Sequence, residues 1–518
     1  MGEWLQRGLG PGAPASVSVM APEGPASYPA GMTQRARTAA PGRFSAWLLF
    51  ATAVLAPLPF GSSTPTAVAF WCIVLGACVV FAPVRSLSTG QLALAGLAGI
   101  VVVAYSLVLY VQLADPLRLA APHPIWHEAE SALGVPLSPS VSIARNQPWF
   151  ELGRPLVCML AIACGFLVGT DRGRARQLLK VIGWSGGAYA MYGILSHLID
   201  PTHILWREKE AYLAYVTGTF INRNTAAAYF GSCAVVWSLL LWERVRLQLP
   251  PGPIAWRAVP TRLFSTTPKR VVIAFAMLFV CLAAMFMTGS RAGVVFSLVA
   301  LIVAFTTFFR SDLLRRRTGI AIALAGGGAI ALILLQLMGT GVNSRFDLEG
   351  AADAGRLETY KSTLRMIADH PWFGTGQGTF VYAFPAYRSP NVSMWGVWDI
   401  AHNTPLEIAA DMGVPIAALV VAAWIVIFAV LVRGVMIRRR GLVVPVAALS
   451  VAMLGVLHSL IDFTLQIPGY AIVATALIGA GLAQSLVVRG DETSEKSGIV
   501  VKNQSRVNTD ELPLGGDF

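Results

Sequence analysis

Long apolar runs separated by short polar breaks make up most of the chain. A helix needs about 18 or more apolar residues to cross a hydrocarbon core about 30 Å thick. By that measure the pattern predicts about twelve spanning helices, at 44–60, 65–83, 91–113, 152–170, 178–199, 224–242, 271–289, 292–309, 318–338, 413–432, 442–461 and 468–487. The expected fold class is therefore all-α, a polytopic membrane protein. Three longer polar stretches interrupt the runs, 114–151, 200–223 and 339–412, the last being the longest.

Composition agrees, with 55% hydrophobic and 13% charged residues, about half the charged share of a soluble domain. Lysine and arginine fall in every second loop: Arg35, Arg37 and Arg43; Arg85; Arg172, Arg174, Arg176 and Lys180; Arg244 to Arg270; Arg310 to Arg317; Arg433 to Arg440. Positive loops stay in the cytoplasm, so both termini are expected there and the three polar stretches on the outer, periplasmic side. The net charge of +12 is thus a topology signal. Scattered over alternate loops, it makes no nucleic-acid patch.

Residues 1–43 are rich in Pro, Gly, Ala and Ser and predict a disordered tail, with Met20 and Met32 as alternative starts and no cleavable signal. Residues 489–518 predict a second disordered cytoplasmic tail, which leaves 44–488 as the transmembrane domain. All six cysteines fall inside expected spans and show no CxxC spacing, so they are read as packing residues. His123 and His127 stand four apart in HPIWH, but Pro124 interrupts a regular helix there and no third ligand is near in sequence, which makes a weak metal signal.

Arginines on the outer side point more sharply to chemistry. Arg291 lies in MTGSRAGVV, between two spans, and Arg223 lies in TGTFINRNTAAAY between Asn222 and Asn224. A charge held at a membrane boundary is costly, and a guanidinium fork suits bidentate phosphate binding; snorkelling to the headgroups is the plain alternative. Within 339–412, Asp353 is a candidate cap for a helix starting near Arg356, with Leu357, Tyr360, Leu364 and Ile367 on one face and Lys361 and Arg365 off it. His370-Pro371 ends that helix, and WFGTGQGTF follows as a glycine-rich turn without the strand or GK[ST] of a nucleotide loop. His402 and Asn403 then precede Thr404-Pro405, the expected start of another helix, and Glu407 falls about one turn further on.

The order TGTFINRN, MTGSRAG, the Arg356 helix, HPWFGTGQGTF, the His-Asn pair and HSLIDFTLQIP, over about residues 217–470, resembles the bacterial O-antigen ligase and polymerase superfamily. The resemblance implies an inner-membrane glycosyltransferase that needs neither metal nor nucleotide. Such an enzyme takes a glycan from undecaprenyl diphosphate on the periplasmic side and passes it to an acceptor hydroxyl, on lipid A core for a ligase or on a lipid-linked glycan for a polymerase. It also implies that Arg291 and Arg356 hold the donor diphosphate and that His402 is the catalytic histidine.

Elementary chemistry is compatible with those roles. Two fixed arginines can take up the charge of a departing diphosphate, and an imidazole titrates near working pH. Arg223, Asn222, Asn224, Lys361, Arg388, Asn403 and Asp462 are further candidates for substrate contact, with Asp462 also an acid at an outer helix end that can pair with one of the arginines. Trp372, Phe373, Phe380, Tyr382, Phe384 and Tyr387 form an aromatic cluster suited to a belt or a loop core, with carbohydrate stacking as the alternative. Two other classes remain open on sequence, a secondary transporter and a non-catalytic export scaffold.

Overall fold

A computed structural model describes residues 31–82, 84, 87–114, 120–249, 268–314, 318–338, 354–392, 397–438 and 440–486. The chain forms two compact units, 1–40 and 41–518; helical backbone from Gly31 is described in the first, and all that follows concerns the second. Residues 1–30 of the expected N-terminal tail, the whole expected tail 489–518 and Asp353 lie outside the described residues.

The helices are α1 (Gly31–Leu55), α2 (Pro65–Val80), α3 (Thr89–Leu113), α4 (Ile125–Leu133), α5 (Gln147–Glu151), α6 (Gly153–Gly169), α7 (Arg172–Ile199) and α8 (Arg223–Gln248). After them come α9 (Lys269–Met287), α10 (Arg291–Phe308), α11 (Arg310–Leu313), α12 (Gly319–Met338), α13 (Ala354–Asp369), α14 (Phe380–Tyr387), α15 (Thr404–Met412), α16 (Val414–Ile437), α17 (Val443–Ser459) and α18 (Pro468–Ser485). A hairpin pairs β1 (His203–Ile204) with β2 (Arg207–Glu208), antiparallel. Every apolar run read from the sequence overlies a helix, and among the described residues six helices are long and apolar enough to cross a membrane: α3, α5 with α6, α8, α9, α10 and α16. The protein is an all-α membrane protein.

Helices α8, α17 and α18 form the buried centre. Glycine sets how closely they approach their neighbours, since without Cβ two backbones can touch. A Cβ on Gly165 of α6 would meet the Ala476 carbonyl oxygen of α18 at 2.0 Å. On α10, a Cβ at Gly293 would meet Ala227 of α8 at 2.4 Å. That contact holds the first turn of α10 against the first turn of α8, and so brings the Arg223 and Arg291 segments to one end of the bundle.

The segment from α13 to α15 folds as a cap with its own core of Met366, Ile367, Phe380, Ala383, Phe384, Ala401, Ala409 and Ala410. Here the apolar face read from the sequence divides: Ile367 is buried and Tyr360 half-buried, but Leu357 and Leu364 are 49% and 53% exposed. The buried stripe instead runs through Thr359, Ser362, Thr363 and Met366. Its hydroxyls are satisfied locally, Thr359 donating to the Gly355 carbonyl and Thr363 to the Thr359 carbonyl, so burying them carries no unpaired polar group. Of the aromatic cluster, Phe380 and Phe384 stack at 4.8 Å inside the cap, whereas Trp372 and Tyr382 stay exposed.

Gly374, Gly376 and Gly378 all take positive φ, at 66°, 115° and 72°, a region open to glycine at little cost. Their loop is clasped by α15: the Thr375 N–H donates to the Ala410 carbonyl, Gly376 N–H to the Asp411 carbonyl and Gly378 N–H to Asp411 Oδ2. Gln112 of α3 joins from the other side, donating to the Phe373 and Asp411 carbonyls and accepting from the Gln377 N–H. The glycine-rich turn is a structural clasp between α3 and α15.

Candidate active site

The stretch from Asp399 to Glu407 takes an unusual path because its backbone groups are held from several directions. Asn403 caps α15, its Oδ1 accepting the Leu406 N–H at 3.0 Å while its Nδ2 donates to the Leu460 carbonyl at 2.7 Å. One residue earlier, His402 has φ of +55°, a left-handed conformation that a non-glycine residue keeps only when its surroundings impose it. Tyr360 Oη donates to the His402 carbonyl at 3.0 Å, and the Ala401 N–H donates to Glu407 Oε2 at 2.9 Å. Cap, tyrosine and glutamate together fix the turn that presents the imidazole.

Around that ring, Asp462 is the organising group. Its Oδ1 lies 3.8 Å from His402 Nδ1, and its Oδ2 lies 3.7 Å from Arg356 Nη2 and accepts from Asn224 Nδ2 at 2.5 Å. Arg356 also donates through Nη1 to the Ile461 carbonyl at 2.6 Å. Burial alone would raise the Asp462 carboxyl; His402, His458 and Arg356 together hold it below its ordinary value. The His402 Nδ1 is sealed and has no hydrogen-bond partner among the described residues, so Nε2 is the ring nitrogen on the open side. Trp398 and Phe463 flank the imidazole, with ring centroids at 5.7 and 5.2 Å.

A second group surrounds Arg223. Asn222 caps α8, its Oδ1 accepting from the N–H groups of Asn224 and Thr225. Arg223 is 8% exposed and lies over two tyrosine rings, Tyr212 at 5.0 Å and Tyr215 at 4.4 Å, a desolvated cation–π arrangement. Tyr215 also packs on Gly289, in the turn whose Ser290 caps α10 and whose next residue is Arg291. Arg223 and the Arg291 turn thus share one aromatic wall.

The structure therefore brings together His402, Arg356, Asp462 and Asn224, and sets Arg223 and Arg291 at adjoining helix starts. Asn222 and Asn403 are helix caps. Lys361 pairs with Glu358 on the exposed side of α13, at 2.6 Å. His123 and His127 part company: His127 is exposed, and His123 Nε2 meets His370 Nε2 at 3.2 Å.

Tyr212, Tyr215 and the Leu460 and Ile461 carbonyls had no signal of their own in the sequence. Glu407 had one, its place a turn after the His-Asn pair, but it faces Ala401 rather than the imidazole. Burial pushes its carboxyl up to about 7, against the opposing pull of the Ala401 N–H, Gln466 and Arg154.

Residues 275–421 match the family model described as O-antigen ligase. The match covers Arg291, Arg356, Lys361, His402 and Asn403, and stops short of Asp462 on one side and Arg223 on the other. The resemblance to the O-antigen ligase and polymerase superfamily therefore holds on this stretch. A search of curated proteins finds no match to the chain.

Proposed function

We propose that this membrane protein is a lipid-diphosphate-dependent glycosyltransferase of the O-antigen ligase type. It lies in a bacterial inner membrane and moves a glycan from undecaprenyl diphosphate to a lipid A core hydroxyl on the periplasmic side. The observation that carries the reading is the meeting of His402, Asp462 and Arg356 at the helix ends, within and beside the stretch that matches the family.

In this reading the acceptor oxygen attacks the anomeric carbon of the donor as His402 Nε2 takes the hydroxyl proton. The bond from that carbon to the diphosphate breaks, and the electron pair leaves with the diphosphate, whose charge Arg291 and Arg356 take up. Asp462, 3.8 Å from Nδ1, stabilises the imidazolium from that side. One displacement on the face opposite the leaving group inverts the anomeric centre. Protein residues supply the base and the charge stabilisation that the reaction needs.

The test is the surface glycan of a deletion strain complemented with wild type or His402→Ala. Lost polymer at normal protein levels supports catalysis. Accumulating lipid-linked long chains then mark a ligase, and accumulating single repeats a polymerase with a lipid-linked glycan as acceptor. Full restoration by His402→Ala ends the base assignment and favours a transporter or an export scaffold.

A further inference from the structure

Arg388 follows α14 at the edge of the cap, and the next residue ties that edge to the buried stripe of α13: the Ser389 N–H donates to Ser362 Oγ at 3.2 Å. The Arg388 Nε and Nη2 are both sealed from solvent, and neither meets a hydrogen-bond partner among the described residues. The residue itself is half-buried, which leaves the Nη1 edge toward solvent. No carboxylate among the described residues pairs with it. Glu358, which faces Ser389, is taken by Lys361 at 2.6 Å.

A desolvated guanidinium without an anion is the costly half of a buried ion pair, and native structures leave few such groups unsatisfied without a functional reason. Arg365 adds a second cation on the same edge, its Nη2 donating to the Ser362 Oγ that also receives the Ser389 N–H. The edge is linked to the site by rings: Phe384, one turn before Arg388, lies 6.4 Å from Trp398, which lies 5.7 Å from His402.

We propose that Arg388, with Arg365 beside it, is a subsite for an anionic group carried by a glycan, a carboxylate or a phosphate. The guanidinium forms charge-assisted hydrogen bonds to that group and selects acidic over neutral glycans. The consequence for transfer rests on the glycosyltransferase reading; the binding itself does not.

The experiment uses the full chain in detergent, titrated at matched ionic strength with glucuronate, glucose 6-phosphate or glucose, with heat of binding and thermal midpoint as readouts. Wild type is expected to bind one or both acidic sugars and not glucose, with glucuronate alone marking a carboxylate site and glucose 6-phosphate a phosphate site. Arg388→Met is expected to weaken that binding on the order of tenfold or more, and Arg388→Lys to retain part of it. Because the cation lacks a partner, unliganded Arg388→Met is expected to melt no lower than wild type. Equal responses to acidic and neutral sugars, wild-type binding by Arg388→Met, or a lower melting point for that variant would each overturn the subsite. All three are read without glycan transfer, so they stand apart from any failure of the catalytic assignment.

Discussion

Asp462 stands on the sealed side of His402, its Oδ1 3.8 Å from Nδ1, while the same carboxylate is shared with Arg356 and Asn224. One buried acid thus ties the histidine, the arginine and the start of α8 into a single unit. Residues that act as a unit lose function together rather than additively.

His402→Ala is expected to lower transfer by about 10²–10⁴-fold, the usual contribution of a positioned general base. Asp462→Asn is expected to approach the same loss, and the double variant to fall little further than the worse single one. Transfer to a defined acceptor in proteoliposomes checks this; strictly multiplicative losses would mean that the two side chains act separately.

Glu407 sets a pH dependence of stability. Its carboxyl is raised from about 4.5 to about 7, so the folded chain holds a proton that the unfolded chain has released between those values. Stability from this group is full below about 4.5 and falls as pH rises to about 7, by on the order of 3 kcal/mol. Glu407→Gln keeps an oxygen for the Ala401 N–H without the charge, and its melting temperature at pH 8 should exceed that of wild type. A lower value would show that the carboxylate is needed for the turn.

His123 and His370 act in the opposite direction. Burial, then the neighbouring ring, brings His123 down to about 4, and burial lowers His370. Because His123 Nδ1 accepts the Ile125 N–H, its neutral form carries the proton on Nε2 and donates it to His370 Nε2. The unfolded chain takes up protons first, so this contact is intact above about 6.5 and loses stability as pH falls from there toward about 4. Hydrogen exchange in residues 120–143 should quicken over that range, and His370→Phe should remove the change; a pH-independent wild type would refute the pairing.

Gly374→Ala and Gly134→Ala separate steric crowding from backbone strain. Both glycines have positive φ, 66° and 68°, but a Cβ on Gly374 meets the Asp411 backbone at 2.3 Å, whereas one on Gly134 meets nothing within 4 Å. Gly134→Ala is expected to cost about 1 kcal/mol. Gly374→Ala is expected to cost several times that, because the α15 clasp must open. Equal melting temperatures for the two variants would contradict this.

The helices were legible because bilayer crossing demands an apolar run of fixed length, and His402 and Arg356 because short motifs surround them. Convergence was less legible. Asp462 was legible as an acid at a helix end able to pair with an arginine, and it lies beside Arg356, but its meeting with Asn224, 238 residues away, was not. The cap helix misled for a different reason: Thr359, Ser362 and Thr363 find local hydrogen-bond partners and can be buried, so hydropathy named Leu357 and Leu364 instead. Arg223 was legible as a charge at a boundary, but the two tyrosines beneath it were not, since stacking leaves no periodic trace.

The left-handed backbone at His402 has a consequence for selection. At φ of +55° the residue easiest to accommodate is glycine, so the side chain at 402 is kept against the preference of its own backbone. A library screened for thermal tolerance alone would be enriched in His402→Gly, and one screened for surface polymer would be purged of it. Divergence between the two screens at this codon would mark histidine as retained for its work rather than its fit.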